Sequence, residues 1–356
     1  MNRIIITGIG LITPIGVGKE QFWQNVISGA SGVGKTNRFP SLPELLCGEI
    51  SDTDAVEDLS DRRLRRSANI SKYAFAAANL AINDAWDKPA DNINTALIFG
   101  ITHGALNYTQ AFHSALLREG VDAASPLFFS DSVLNAPASN TSICLGLGGS
   151  VHTLVDGSAA ALKAIMLARR LLDGGSADRV LIVCAEELNE LSLSCYLQKG
   201  ISPLSEGSGA LLIERETTEG SPTRGNDNKI SYCRISGTAS IFNPSYPAAA
   251  LTDALTQCLE KADMDAENID LIVAGRDMQA GPPFKGVSTV SITHLTGDAF
   301  AATALWHVIL GSLIIKNGKI PEAVITNKAS MPDQVRNVLV YTNDGQGIAS
   351  AVSLSI

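Results

Sequence analysis

Few side chains in this 356-residue sequence could do chemistry, and they are scattered. Ser158 stands in TLVDGSAAALKAI, where an apolar strand-like run gives way to an Ala-rich helical one. A serine hydroxyl has almost no ionised fraction at neutral pH, so it needs an adjacent base to act as a nucleophile. The local Asp-Gly-Ser-Ala is not the Gly-x-Ser-x-Gly elbow of serine hydrolases. A serine at a helix start is also an ordinary N-cap, with Asp156 beside it as an alternative cap. Five histidines are candidate bases. His152 shares a strand face with Leu154, His294 precedes Asp298 by four residues, His307 sits among Leu305, Trp306 and Val308, and His103 and His113 belong to a separate block. A lone histidine without a placed partner is usually structural. The six cysteines (47, 144, 184, 195, 233 and 258) form no Cys-x-x-Cys pair and no metal spacing. No metal or other cofactor is expected, and Cys144 and Cys184, in apolar segments, read as small buried hydrophobes. Gly8-x-Gly10 is followed by Pro14 rather than by a third glycine opening a helix, so a dinucleotide loop is not supported. Arg62, Arg63, Arg65 and Arg66 form the one basic cluster, either a solvated helix start, a docking patch for a phosphate-bearing acidic partner, or salt-bridge donors to a partner subunit.

The elements that must hold these residues follow from composition and pattern. The chain is 45% hydrophobic and 18% charged, with a mean hydropathy of +0.15, enough for a large core. Its length corresponds to two or three domain-sized units. A net charge of −9 offers no basic field for nucleic acid or anionic lipid. Residues 4–6 are interrupted by Gly8 and Gly10 too soon for a signal segment. The apolar stretch 301–315 falls short of a membrane span and reads as a buried helix. No membrane partner is therefore expected, and a reducing cytoplasm is the expected compartment.

Apolar runs at 3–7, 95–99, 151–155, 179–184, 210–214, 271–274 and 349–355 read as strands covered on both faces. Helical periodicity fills 73–86, 158–172 and 253–262. The alternation predicts a layered α/β fold with a largely parallel sheet. The sequence also echoes itself. LAINDAWDKPADNINTALIFG (80–100) resembles ALTQCLEKADMDAENIDLIVAG (254–275), and 157–183 parallels 297–325. Two copies of one arrangement imply a pseudo-twofold duplication: a first half over 1–215, with 101–150 as a capping or dimer insertion, a polar linker at 216–230, and a shortened second half over 231–356.

Three segments carry a family resemblance. RIIITGIGLITPIGVGKEQFWQNVISGASGV (3–33) looks like the opening of β-ketoacyl-acyl carrier protein synthases. RRLRRSANISKYAFAAANLAINDA (62–85) resembles their first long helix, and SPLFFSDSVLNAPASNTSICLGLGG (125–149) the approach to their nucleophile strand. The resemblance implies a thiolase-like α/β fold, with two pseudo-twofold-related βαβαβαββ halves in α-β-α-β-α layers. It also implies a test. Condensing members carry a cysteine at a helix N-terminus, where the dipole favours the thiolate, and two histidines that stabilise decarboxylation and the enolate oxygen. Here the nucleophile position falls on Ser158. The first histidine position falls on Gly275 or Arg276, and the second on Asp298 in THLTGDAF, with Thr293 in place of a lysine. The closing Gly-Phe-Gly-Gly loop survives only as NDGQG (343–347).

Five simultaneous replacements resemble the chain length factor of type II polyketide systems, a non-catalytic subunit paired with an active ketosynthase. Serine rather than glutamine at position 158 is closer to the corresponding subunit of bacterial aryl polyene pathways. The resemblance implies that the strand 151–155, with His152 and Leu154, pairs across the dimer axis. It also implies that Leu106, Tyr108, Phe112, Phe128, Phe129, Val133 and Leu134 line or gate the acyl tunnel, and that the four arginines dock an acyl carrier protein. Phe128 and Phe129, being adjacent, are expected to point to opposite sides, with at least one in a core. The competing readings are an acyltransferase or hydrolase using Ser158, and an active synthase of divergent mechanism.

Overall fold

The computed structural model describes residues 3–39, 41–42, 44–85, 94–201, 203–216, 231–275, 284 and 286–356. The candidate linker beyond Glu216, Trp86 and Arg276 lie outside them.

The first half opens with β1 (Ile4–Thr13), a short return strand β2 (Gly16–Val17) and α1 (Lys19–Ser28). Next come β3 (Val33–Lys35), β4 (Leu46–Gly48), α2 (Thr53–Leu59), the long α3 (Asn69–Ala85) and β5 (Thr95–Ile101). A block of three helices follows: α4 (Leu106–Glu119), α5 (Pro126–Ser132) and α6 (Ala136–Leu145). The half closes with β6 (Val151–Val155), α7 (Ala159–Asp173), β7 (Arg179–Glu186), α8 (Glu190–Gln198), β8 (Leu204–Ser205) and β9 (Gly207–Arg215). The second half runs through β10 (Cys233–Phe242), α9 (Pro247–Ala262), β11 (Leu271–Ala274), β12 (Ser288–Val290) and α10 (Thr293–Thr296). It ends with α11 (Ala301–Asn317), β13 (Ile325–Asn327), β14 (Asn337–Asn343) and β15 (Ile348–Ser355).

The duplication is visible in the strand order. Outward from the junction of β1 with β10, one half reads β1-β9-β7-β5-β6 and the other β10-β15-β14-β11-β12, with β13 added at that edge. The directions correspond pair by pair. In each half the two inner pairings are antiparallel and the two outer ones parallel. The sheet is therefore mixed, not largely parallel. Continuous apolar runs report burial on both faces, and here helices cover the antiparallel strands as well as the parallel ones.

The five layers follow from three apolar clusters. α3 packs on the outer face of β1, β7 and β9, and α9 on that of β10 and β15. Between the halves, α7 and α11 share one large core with strands from both. This is the α-β-α-β-α arrangement implied by the family resemblance. The second copy of the repeat is offset from the sequence echo: the counterpart of β7 is β14, not residues 320–325. After α11 the chain first adds the short edge strand β13 and only then enters the sheet interior. β10 has no clear sequence signal because Ser236, Gly237, Thr238 and Ser240 dilute its apolar run.

β1 extends well past residue 7, and glycine explains why. Gly8 and Gly10 face α3 so closely that an added Cβ would lie 2.1 Å from the Ala81 carbonyl oxygen and 1.8 Å from that of Ala77. The glycines, met by Ala77, Ala81 and Ala85, let strand and helix backbones touch. Gly10→Ala is expected to lower the unfolding free energy by about 3 kcal/mol, the upper range for forced overpacking. Gly34→Ala, where nothing lies within 4 Å of the new methyl, is expected to leave it unchanged. Urea unfolding of both variants checks this contrast.

Candidate functional site

The parallel strands β5, β6 and β7 end side by side, the usual location of sites in open α/β sheets. Ser158 lies there, one residue before α7. It does not cap the helix: its side chain makes no cap hydrogen bond. Gly157, at φ +52°, turns the chain sharply, and Ser158 is already helical at φ −62° and ψ −26°. An N-cap side chain reaches the exposed N–H groups from an extended backbone, so this conformation gives up capping. Asp156 does not cap either; it pairs with the Lys163 ammonium two turns along. His152 bonds Ser150 Oγ at 3.0 Å, and Leu154 packs on the central core.

Asp298 stands before α11, the middle-layer partner of α7. Its backbone is bound into the adjoining strand, Ser205 N donating to its carbonyl at 2.9 Å and its own N–H donating to Pro203 O at 2.9 Å. Its carboxylate accepts the Phe300 N–H at 2.8 Å, the bond of a residue closing the turn into a helix, where negative charge is favoured. Thr293 is buried and bonded to Ser291. His307 is fully enclosed, and burial pushes its pKa down to about 4, so at neutral pH it is an uncharged acceptor for the Ile292 N–H. His294 bonds Ala323 O at the surface. Cys184 is buried as expected, whereas Cys144 is only half-buried because α6 belongs to the outer block.

That block is a thin layer. α4 has no fully buried residue, and in α5 only Asp131 is buried. Tyr108 meets Phe128 edge to face at 5.1 Å between centroids, and Phe112 meets Phe129 at 5.4 Å. Neither phenylalanine of α5 enters a core: Phe128 is half-buried and Phe129 is 56% exposed. On a helix, neighbouring side chains diverge by about 100°, not 180°, so both can lean on α4. Leu106 is half-buried, and Val133 and Leu134 remain exposed at the end of α5, with Leu134 over Gly104.

The four arginines separate. Arg63 binds Asp61 and reaches the carbonyls of Ile143 and Cys144 at 3.2 and 2.8 Å, capping the C-terminus of α6. Arg62 and Arg65 line a surface cleft of about 420 Å³ with Glu57, Ser60, Asp61 and Lys72. Arg66 accepts a hydrogen bond from Tyr108 Oη on its backbone carbonyl at 2.8 Å.

The sequence reading missed three buried carboxylates that hold this end of the sheet. Glu206 receives both terminal nitrogens of Arg38 at 2.7 and 2.8 Å, with the N–H groups of Leu188 and Ile50. Glu187 accepts from Ile70 N, Asn107 N and Asn107 Nδ2 at 3.3, 3.0 and 2.9 Å. Glu186 accepts from Thr102 N at 2.6 Å and His103 N at 3.4 Å. The signal was present: Glu186-Glu187 ends an apolar strand without a break, and Glu206 sits within the otherwise small and apolar run 203–213.

Comparison with known proteins sets this geometry in a family. The sequence pattern of the β-ketoacyl synthase N-terminal domain matches residues 1–219. The chain belongs to the β-ketoacyl synthase family. A 3-oxoacyl-[acyl-carrier-protein] synthase 2 of Staphylococcus aureus (strain N315) is 23% identical over 396 aligned positions, covering 99% of this chain and 94% of that protein. One from Synechocystis sp. is 32% identical over 182 positions, 49% of this chain and 43% of its own length. Among solved structures, the ishigamide ketosynthase/chain length factor superposes with a TM-score of 0.86 at 19% identity, covering 99% of both chains. A type II polyketide synthase acyl-carrier protein in complex with its ketosynthase bound to the hexaketide gives 0.80 at 20%, again over 99% of each chain. The thiolase-like ketosynthase fold is thereby shared over the whole described length.

Within this ketosynthase scaffold, Glu187 gives a measurable pH signature. Burial raises its carboxyl from the ordinary 4.5 to about 7, against the opposing pull of its hydrogen bonds. A raised folded-state value means that protonation favours the folded chain. The contribution is complete below about pH 4.5 and is lost as pH rises through 7. The unfolding free energy is expected to carry a decline of about 3 kcal/mol between pH 5 and 8, absent from Glu187→Gln. Denaturant titrations at several pH values measure both slopes, and equal slopes would show that Glu187 does not titrate there.

Proposed function

We propose that this chain is a non-condensing ketosynthase-like subunit, a chain length factor. It pairs with an active ketosynthase and shapes the end of the acyl tunnel while a carrier-bound polyketide or polyene chain is extended. The observation that carries this reading is the chemistry at the family's key positions: Ser158 has no base in hydrogen-bond contact among the described residues, and Asp298 serves the start of a helix. Neither supplies a thiolate or an imidazole. A second observation agrees. Among the described residues β6 is the last strand of the sheet and its outer edge is unpaired, with Val151 and Val155 41% and 50% exposed. Phe129, Val133, Leu134 and Ile143 add exposed apolar surface on the neighbouring helices. An open edge flanked by apolar side chains is a liability unless another strand covers it. The likeness to a ketosynthase/chain length factor structure supports the same assignment. The aryl polyene class is the finer form of this proposal, resting on serine at position 158.

Co-expression with a ketosynthase that keeps its cysteine and two histidines is expected to give a one-to-one heterodimer. Its condensation should be abolished by replacing the partner's cysteine and retained in Ser158→Ala. Phe112→Ala or Phe129→Ala in this chain should shift product length. A stable homodimer that condenses by itself would overturn the proposal. An acyl adduct on Ser158, detected by intact mass, would favour acyl transfer instead.

Carrier docking is the second part. Arg62 and Arg65, with Lys72, are the cations lining the cleft, so Arg62→Glu with Arg65→Glu should weaken carrier-protein binding roughly tenfold at low salt and less at high salt. Arg63→Ala should instead lower stability with little effect on binding, because its guanidinium is committed to α6. Titrations at two ionic strengths, with thermal melts, distinguish the two effects.

A further inference from the structure

The surface cleft beside α2 and α3 gathers three cations on a chain of net charge −9. It is lined by Glu57, Ser60, Asp61, Arg62, Arg65 and Lys72, and its volume of about 420 Å³ suits a small molecule. Arg62 opens a 3₁₀ turn over Arg62–Leu64, pinned by the buried Leu64, and the Arg65 N–H closes it on the Arg62 carbonyl at 3.4 Å. Side chains three apart on such a turn eclipse, so both guanidinium groups leave it on the same side. Arg63 leaves on another, toward Asp61 and the end of α6. Lys72, half-buried, reaches the cleft from the end of the first turn of α3.

These cations are kept without partners. Asp61 is committed to Arg63 through contacts of 2.9 and 2.7 Å, so its charge is matched within the turn. Among the described residues, the guanidinium groups of Arg62 and Arg65 and the Lys72 ammonium make no ion pair or hydrogen bond. Three cations against the one remaining carboxylate, Glu57, leave an excess of two positive charges. Lys72 adds to the cost, because a cation near a helix N-terminus opposes the helix dipole. Converging like charges break a local stability rule, as functional sites do.

The lining selects the ligand class. A phosphate monoester carries close to two negative charges at neutral pH, which matches the excess. Two guanidinium groups side by side offer the paired N–H donors that phosphate oxygens accept. The N–H groups of Ile70, Ser71 and Lys72 are already bonded, to Glu187 and to Ala68 O, so side chains alone hold the anion. Glu57 repels a second anionic group and accepts hydrogen bonds from hydroxyls. None of the six side chains is aromatic, so a nucleobase finds no stacking platform. We propose that the cleft binds a sugar phosphate, its phosphate held by Arg62, Arg65 and Lys72 and its free hydroxyls by Glu57. A bound sugar phosphate withdraws Arg62 and Arg65 from the carrier protein, which makes the cleft a point of regulation. That competition rests on the carrier docking proposed above; the phosphate site rests on the cleft's geometry and charge.

Calorimetric titration of the full chain with ribose 5-phosphate, inorganic phosphate and ribose tests the site. Ribose 5-phosphate is expected to bind with a Kd on the order of 1 mM, the scale of two or three charge-assisted hydrogen bonds, and ribose is expected not to bind. Inorganic phosphate should bind about fivefold more weakly, the worth of one hydrogen bond. Arg62→Ala and Arg65→Ala should each weaken ribose 5-phosphate about tenfold, and Arg63→Ala should leave its binding unchanged. Glu57→Ala should bring ribose 5-phosphate and inorganic phosphate to equal affinity. Equal affinity in the native chain, unchanged binding in both arginine variants, or no binding of ribose 5-phosphate would each overturn the proposal. Ribose 5-phosphate that binds without displacing a carrier protein overturns the competition, with carrier docking in this cleft, and leaves the sugar phosphate site standing. A carrier protein weakened by Arg62→Glu with Arg65→Glu, in a chain that binds no ribose 5-phosphate, does the reverse.

Discussion

Carboxyl groups removed from water must be met by hydrogen-bond partners, because a buried polar group left without one costs free energy comparable to a lost hydrogen bond or more. Glu186, Glu187 and Glu206 impose that requirement at one end of the sheet, each at most 6% exposed. Their donors come from separate stretches of chain: Arg38 and Ile50 from the loops around β4, Ile70 from the first turn of α3, Thr102 and His103 after β5, Asn107 in α4, and Leu188 after β7. Loops that would otherwise wander are fixed because each satisfies part of a buried carboxyl group. None of these bonds involves Ser158 or Asp298. The carboxyl cradle is therefore energetically separate from these two positions, which can vary while it stays intact.

The same separation runs through the core. The central layer is held by α7 and α11, which share one apolar cluster with strands of both halves, and α3 lies directly on glycines of β1. Close backbone approach leaves no room for volume change, so this part of the molecule is constrained chiefly by packing, with Asp84 of α3 also accepting the Ile9 N–H of β1 at 2.9 Å. A pseudo-twofold arrangement built this way can vary at its helix N-termini, where the middle helices begin, without disturbing the strand order.

Much of this was legible in the chain. Apolar runs located β5, β6, β7, β11 and β15, and the echo between 80–100 and 254–275 foretold the pairing of α3–β5 with α9–β11. Direction was not legible, since a strand covered on both faces looks the same whichever way its neighbour runs. β10 was hidden by small polar residues, and β1 was cut short because Gly8 and Gly10 read as punctuation, when they mark contact with a helix. At the site, the family resemblance singled out Ser158 and Asp298, but their local roles depended on backbone angles and on partners distant in sequence. Glu186, Glu187 and Glu206 were passed over because an acidic side chain in an apolar run gives no hint of which loop will satisfy it.

The α4–α6 layer completes the picture by contrast. It contributes few buried side chains and is tied down by polar anchors at its inner side: Asn107 to Glu187, Tyr108 to the Arg66 carbonyl, the Ala68 N–H to Asp131, and Arg63 to the end of α6. Its aromatic pairs meet edge to face or tilted, and of the four rings Tyr108 packs against the α3 cluster. A layer fastened by hydrogen bonds along one side and packed loosely on the other can change the bulk of Phe112, Phe128 or Phe129 without opening a cavity in the core, where each lost methylene is costly. Side-chain volume in this layer is thus the part of the molecule most free to vary with the fold held constant, and it lies beside the open edge of β6.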